Sequence, residues 1–221
     1  MPVNPPAPPL ERYAVLVPVK PPAFAKSRLG DLGDRARRDL ATAFAVDTIT
    51  AVVACPQVDR VLVVTDDHEL ARGLLDLGVE VIPDGTTDDL NGTLLLAAAE
   101  MHRRHPALRL AAVCADLPAL RPDELAQVLT DAASDRMTFV ADQQRSGTTI
   151  VVAPTLETFR PAFGPGSRQR HLDAGAREVD DVDAPSLRRD VDDRDDLVEA
   201  IRLGVGARTS LVATARGLGV T

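Results

Sequence analysis

Only two of the chain's 25 basic residues are lysines, Lys20 and Lys26, and both fall in one stretch, VPVKPPAFAKSRL, together with Arg28. An ammonium group is a compact point charge that suits a phosphate oxygen, whereas a guanidinium presents its donors in a fixed plane. The stretch is therefore a candidate phosphate-binding loop, the plain alternative being a solvated basic turn. Asp116 closes an apolar run, LRLAAVCAD, just before Leu-Pro. A carboxylate there would cap the following turn or bind a hard cation such as Mg²⁺, which takes one or two carboxylates together with substrate phosphates. Asp190 and Asp192 sit two apart in RRDVDDRDDL, a spacing that puts both on one face of an extended segment. They are candidate further ligands; equally, Asp192 and Asp193 could cap the helix that follows. SGTT (Ser146 to Thr149) and GPGS (Gly164 to Ser167) combine hydroxyls with glycines that let backbone N–H groups approach an anion, although each is also an ordinary turn. The four His residues lack metal-ligand spacing, and neither a G-x-S-x-G nor a Cys–His arrangement suggests a covalent nucleophile.

These residues need a scaffold, and the hydrophobic pattern supplies one. Tyr13–Val19, Arg60–Thr65, Val79–Ile82 and Leu108–Cys114 read as buried strands. Helical spacing fills Asp34–Ala54, His68–Leu77 (closed by Gly78), about Gly92–Arg104, and a segment opening at Pro122. Strand and helix alternate to residue 133, which predicts right-handed βαβ units around a mostly parallel, Rossmann-like sheet. Met137–Ala141 and Thr148–Ala153 follow with no long helix between them, so a hairpin or antiparallel edge is expected on the same sheet. A short helix is expected over Arg168–Ala174, polar strands towards Asp190, and a last helix near Asp193. Residues 1–11, rich in proline, read as a disordered lead-in, 12–204 as one domain, and 205–221 as a loosely held tail. In open α/β sheets ligands bind beyond the carboxyl ends of the strands where strand order reverses. That rule nominates the lysine loop after the first strand and the ADLPAL loop that carries Asp116.

Composition narrows the classes. A net charge of −8 argues against nucleic acid as a partner, and an anionic substrate would need a local basic pocket or a metal. No run of 18 apolar residues suggests a membrane span. Cys55 and Cys114 lie in apolar surroundings and read as buried thiols rather than a disulfide, which fits a cytoplasmic setting.

VPVKPPAFAKSRL, DLNGTLLLAAAE, CADLPAL, SGTT, FGPGS and RRDVDDRDDL, in this order and spacing, resemble the phosphoenolpyruvate and 2-phospho-L-lactate guanylyltransferases of coenzyme F420 biosynthesis. The resemblance runs from about Tyr13 to Gly204. It implies a single-domain nucleotidyltransferase fold of the GT-A-like kind, with GTP and a phosphorylated three-carbon acid as substrates and pyrophosphate as by-product. With phosphoenolpyruvate as acceptor, the product would be enolpyruvoyl-2-diphospho-5'-guanosine. It also implies Mg²⁺ on Asp116 and Asp190, with Asp192 as a third ligand. Thr149, Gly164 and Ser167 would contact the acid, Lys20, Lys26 and Arg28 the triphosphate, and Asn91 the nucleotide. The chain departs from the wider superfamily in lacking a glycine-rich loop after its first strand: Gly30 comes late and Pro21 and Pro22 remove N–H donors, leaving more phosphate binding to the lysines. Open alternatives are 2-phospho-L-lactate as acceptor, a guanylyl- or cytidylyltransferase for another acceptor, and a non-catalytic nucleotide-binding regulator. Oligomeric state is not legible.

Overall fold

A computed structural model describes residues 11–20, 33–85 and 89–218. The proline-rich residues 1–10 and the part of the lysine loop holding Lys26 and Arg28 lie outside the described residues. The strands are β1 (Tyr13–Pro18), β2 (Val58–Val64), β3 (Glu80–Ile82), β4 (Arg109–Val113), β5 (Thr138–Ala141), β6 (Thr148–Ala153) and β7 (Arg177–Glu178). They form one sheet in the order β3-β2-β1-β4-β6-β5-β7. The helices are α1 (Asp34–Ala54), α2 (His68–Leu74), α3 (Leu90–Arg104), α4 (Pro122–Asp131), α5 (Ser167–Asp173), α6 (Pro185–Arg188), α7 (Arg194–Leu203) and α8 (Ala207–Ala215).

β1 is buried at nearly every position because both faces of the sheet are covered. Tyr13, Val15 and Val17 pack with Ile49 and Val52 of α1 and Leu125 and Val128 of α4, while Ala14 and Leu16 pack with Leu94, Ala97 and Met101 of α3. The period-2 alternation of a strand thus divides β1 between two helical layers. Helix α1 contains no interior Gly or Pro, and α4 opens with Pro122 at its first turn and Asp123 and Glu124 behind it.

The chain enters at β1, builds outward through β2 and β3, then crosses back to place β4 on the other side of β1. The β1–β2, β2–β3 and β1–β4 pairings are all parallel, so strand order reverses between β1 and β4. β6 runs antiparallel to both β4 and β5 and occupies the interior of the sheet; β7, parallel to β5, is the edge. The hairpin expected from sequence is present, then, but is not the edge. The polar strands expected before Asp190 reduce to the two-residue β7, because Pro185 starts the single turn of α6.

Over the described residues 205–218, the expectation of a loose tail is corrected. The buried Asp47 carboxylate on α1 accepts hydrogen bonds from the Arg208 and Thr209 amides at 3.0 and 2.7 Å, seating the first turn of α8 on α1. Gly206 N–H donates to Pro118 O at 2.8 Å, and any side chain at Gly206 would collide with that carboxylate. The apolar positions Leu203, Val205 and Val212 complete the packing around Leu40, Phe44 and Val191. Among the described residues no helix is long and apolar enough to cross a membrane.

Candidate active site

At the carboxyl ends of β1 and β4, where strand order reverses, lies a cavity of about 250 Å³. Pro18, Val19 and Lys20 line it from one loop, Cys114, Ala115 and Asp116 from the other, and Asp192 reaches it from the chain ahead of α7. Its apolar wall is Ala41, Phe44 and Ala45 of α1 with Leu90 at the start of α3.

One carboxylate oxygen each of Asp116, Asp190 and Asp192 lie within 4.8 Å of one another. The backbone explains the convergence. Val191 N–H donates to Asp116 O at 3.1 Å, so the residues on either side of Val191 arrive beside Asp116. The Val191 side chain is wholly buried with Leu40, Phe44 and Leu197. Burial of this kind is worth roughly 1.5–3 kcal/mol and locks the segment in place. The capping alternative is settled by the next residue: Asp193, not Asp192, is the N-cap of α7, accepting from Asp196 N at 3.0 Å. The Asp192 amide is held in turn by the buried Asp196 carboxylate at 3.1 Å, which also faces Arg189 at 3.5 Å.

Three carboxylates this close repel one another, and a divalent cation is one group that would relieve the repulsion. Hard oxygen donors suit Mg²⁺, whose octahedral shell would leave positions for phosphate oxygens and water. The residues fit such an ion. Lys20 lines the same cavity and adds a cation that a polyanion could use; Lys26 and Arg28 lie outside the described residues.

Of the two loops expected to cradle an anion, SGTT is corrected in part. The Ser146 and Gly147 amides both donate to the Asp142 carboxylate, at 2.8 and 2.7 Å, so the anion they hold is the chain's own. Gly147 is required there because a Cβ would run into that carboxylate. Thr149, the last residue of SGTT, is almost wholly buried; its carbonyl accepts from Cys114 N at 2.8 Å and its hydroxyl lies 3.5 Å from Val140 O.

The second loop, FGPGS, is a tight turn. Gly164 (φ 117°) and Gly166 (φ 69°) occupy left-handed backbone, and Ser167 N–H donates to Gly164 O at 3.0 Å. Two residues hold it. His171, fully buried, accepts the Ala162 amide at Nε2 (2.9 Å), which assigns its proton to Nδ1, 2.9 Å from Thr148 Oγ1. Burial, helped by the nearby Arg170 charge, pushes its pKa down to about 4, so the ring is neutral at ordinary pH. Asn91, the second residue, grips Phe163 at both ends: Nδ2 donates to Phe163 O at 3.1 Å, and Oδ1 accepts from Phe163 N at 2.8 Å.

Asn91, expected at the nucleotide, thus has its amide engaged in bracing the loop of Gly164 and Ser167. The structure links Leu90 at the cavity wall through Asn91, FGPGS and His171 to Thr148, beside Thr149, which is tied to Cys114 and the Asp116 loop. Asp142, Val191 and His171 were not singled out by sequence reasoning; only Val191 carried a signal, as the lone apolar residue inside an acidic run.

A family model described as "Guanylyl transferase CofC like" matches residues 13–220. A phosphoenolpyruvate guanylyltransferase from Streptomyces scabiei is 47% identical over 207 residues, covering 91% of this chain and 96% of that one. One of the same description from Thermomonospora curvata is 45% identical over 201 residues, covering 91% and 88%. Among solved structures, a nucleotidyl transferase from Methanothermobacter matches with a TM-score of 0.61 at 17% identity, over 86% of this chain and 98% of that one. CMP:2-keto-3-deoxy-manno-octonic acid synthetase complexed with CTP matches with a TM-score of 0.54 at 13% identity, over 93% and 100%. At such identities the structural matches speak for the fold alone.

Proposed function

The chain belongs to the CofC-like guanylyl transferase family, and from that premise we propose that it joins GTP to phosphoenolpyruvate with release of pyrophosphate, as a step of coenzyme F420 biosynthesis. The observation that carries the reading is the meeting of Asp116, Asp190 and Asp192 beside Lys20 at the reversal point of the sheet. The relatives' descriptions favour phosphoenolpyruvate over 2-phospho-L-lactate as acceptor.

In this reading an oxygen of the phosphoenolpyruvate phosphate attacks the α-phosphorus of GTP in line with the α–β bridging oxygen. The new P–O–P link forms as the old one breaks, and pyrophosphate leaves with the bonding electron pair. The nucleophile is already anionic, so no general base is required. What remains is to hold two polyanions together and to balance charge on the departing pyrophosphate. Asp116, Asp190 and Asp192 would hold Mg²⁺, which when bound would neutralise charge on the phosphate oxygens. Lys20, with Lys26 and Arg28 of the same loop, would face the triphosphate. Gly164 and Ser167, on a turn that Asn91 and His171 keep in shape, would receive the acid together with Thr149 of β6. A cytoplasmic setting suits Cys55 and Cys114, neither of which is in a disulfide.

The test is pyrophosphate release by the purified chain with Mg²⁺ across a panel of nucleoside triphosphates and phospho-acids. Release that requires both GTP and a three-carbon phospho-acid is expected. Release with GTP alone, or only with a sugar phosphate or with CTP, would overturn the reading.

A further inference from the structure

The Asp116 carboxylate is useful only if its backbone is held still, and one side chain does this from the helix behind it. Thr48 lies in the middle of α1 and is wholly buried. Its Oγ1 accepts from Leu117 N at 3.1 Å and lies 3.3 Å from Ala115 O, so a single hydroxyl engages the residues on both sides of Asp116. The same oxygen is 2.8 Å from Phe44 O one turn earlier in α1. One hydroxyl proton serves the two carbonyls, while the oxygen lone pair takes the Leu117 amide. Asp116's own carbonyl accepts from Val191 N. Three consecutive residues, 115 to 117, are thereby pinned, two of them by Thr48.

We infer that Thr48 is a positioning residue for the metal-holding carboxylate of Asp116, acting from α1 through the backbone of Ala115 and Leu117. The inference rests on the metal reading given above. A threonine inside a helix commonly bonds the carbonyl four residues back, and Phe44 O alone would satisfy that local role. It does not require the Leu117 amide, which lies 69 residues further along the chain and beside the ligand. Partners of metal ligands act by fixing ligand orientation, and their loss typically costs about 10–100-fold in metal affinity.

The experiment is Mn²⁺ binding, followed by electron paramagnetic resonance, to the nucleotide-free wild type, Thr48→Val and Thr48→Ser, with melting curves taken alongside. Thr48→Val keeps the size and branching but removes the hydroxyl, whereas Thr48→Ser keeps the hydroxyl. The expected result is Mn²⁺ binding by the wild type, weakened about 10–100-fold in Thr48→Val and restored in Thr48→Ser. In turnover assays Thr48→Val should need correspondingly more Mg²⁺ for half-maximal rate, with the KM for phosphoenolpyruvate unchanged at saturating metal. If Thr48→Val does not fold, Thr48→Cys, whose thiol is a weaker hydrogen-bonding group, should show the same loss in milder form. Wild-type-like Mn²⁺ affinity in a folded Thr48→Val or Thr48→Cys would overturn the positioning role while leaving the metal reading intact. Failure of the wild type itself to bind Mn²⁺ would overturn both.

Discussion

The amide of Val191 donates to the carbonyl of Asp116 at 3.1 Å, and this one backbone bond joins two segments 75 residues apart so that three carboxylates meet. The carboxylates on either side of Val191 are thereby brought to Asp116, while Asp193, one residue further on, caps the helix.

That division gives a pair of neighbouring substitutions opposite outcomes. Asp192→Asn should leave the melting temperature near wild type and lower kcat at limiting Mg²⁺, because in the proposed reading it removes a charged metal ligand. Asp193→Ala should cost about 1 kcal/mol of stability through the lost α7 cap, with kcat retained. Melting curves and pyrophosphate assays on the two proteins check this; equal effects on both readouts would show that the two acids are not distinguished in this way.

Asn91 provides a second discrimination. Since its amide holds Phe163 at both ends, Asn91→Ala should raise the KM for phosphoenolpyruvate more than that for GTP. Steady-state kinetics with each substrate varied in turn decides the matter. A selective rise in the KM for GTP would instead support direct contact with the nucleotide.

His171 should leave a mark on the pH dependence of stability. Its folded pKa of about 4 lies below its ordinary value of 6.5, so in between the unfolded chain binds a proton that the folded chain does not. The contribution is complete above 6.5 and is lost progressively as pH falls towards 4. Between pH 6.5 and 5 the loss amounts to about 2 kcal/mol, at 1.36 kcal/mol per unit. Urea titrations should show a shallower fall over this interval in His171→Gln, by about one proton's worth of slope; an identical slope would contradict the assignment.

The parallel half of the fold was legible because its signals are local. Buried strands such as YAVLVP read as continuous apolar runs, and Pro122, Gly78 and Asp193 punctuate helices at their ends. The place of the cavity and its acidic cluster followed from topology, since loops after β1 and β4 must converge where strand order reverses. The rest depended on partners distant in sequence. Nothing near residue 207 announces that Asp47 will cap α8, so a helix with little apolar periodicity read as a tail. SGTT looked like an anion cradle because its donors were visible and the acceptor, Asp142, was only an acid in a turn. Asn91 fell at the right place for a nucleotide contact, but its pairing with Phe163 spans 72 residues.

For the proposed metal-holding set, Asp116→Asn and Asp190→Asn should each lower turnover by orders of magnitude with the fold intact, because in that reading each exchanges a charged ligand for a neutral one. Circular dichroism together with pyrophosphate release is the check. Near-wild-type turnover of Asp190→Asn at limiting Mg²⁺ would remove Asp190 from that set.

The most direct measurement is a competition. Phosphoenolpyruvate and 2-phospho-L-lactate present the same phosphate and carboxylate and differ at the second and third carbons, a difference worth only about 1–3 kcal/mol in an apolar pocket. Preference rather than exclusion is therefore expected. With GTP, Mg²⁺ and both acids at equal concentration, mass spectrometry should find the enolpyruvoyl diphosphoguanosine as the main product. A main product heavier by two hydrogens, carrying the lactyl group, would contradict the assignment of phosphoenolpyruvate.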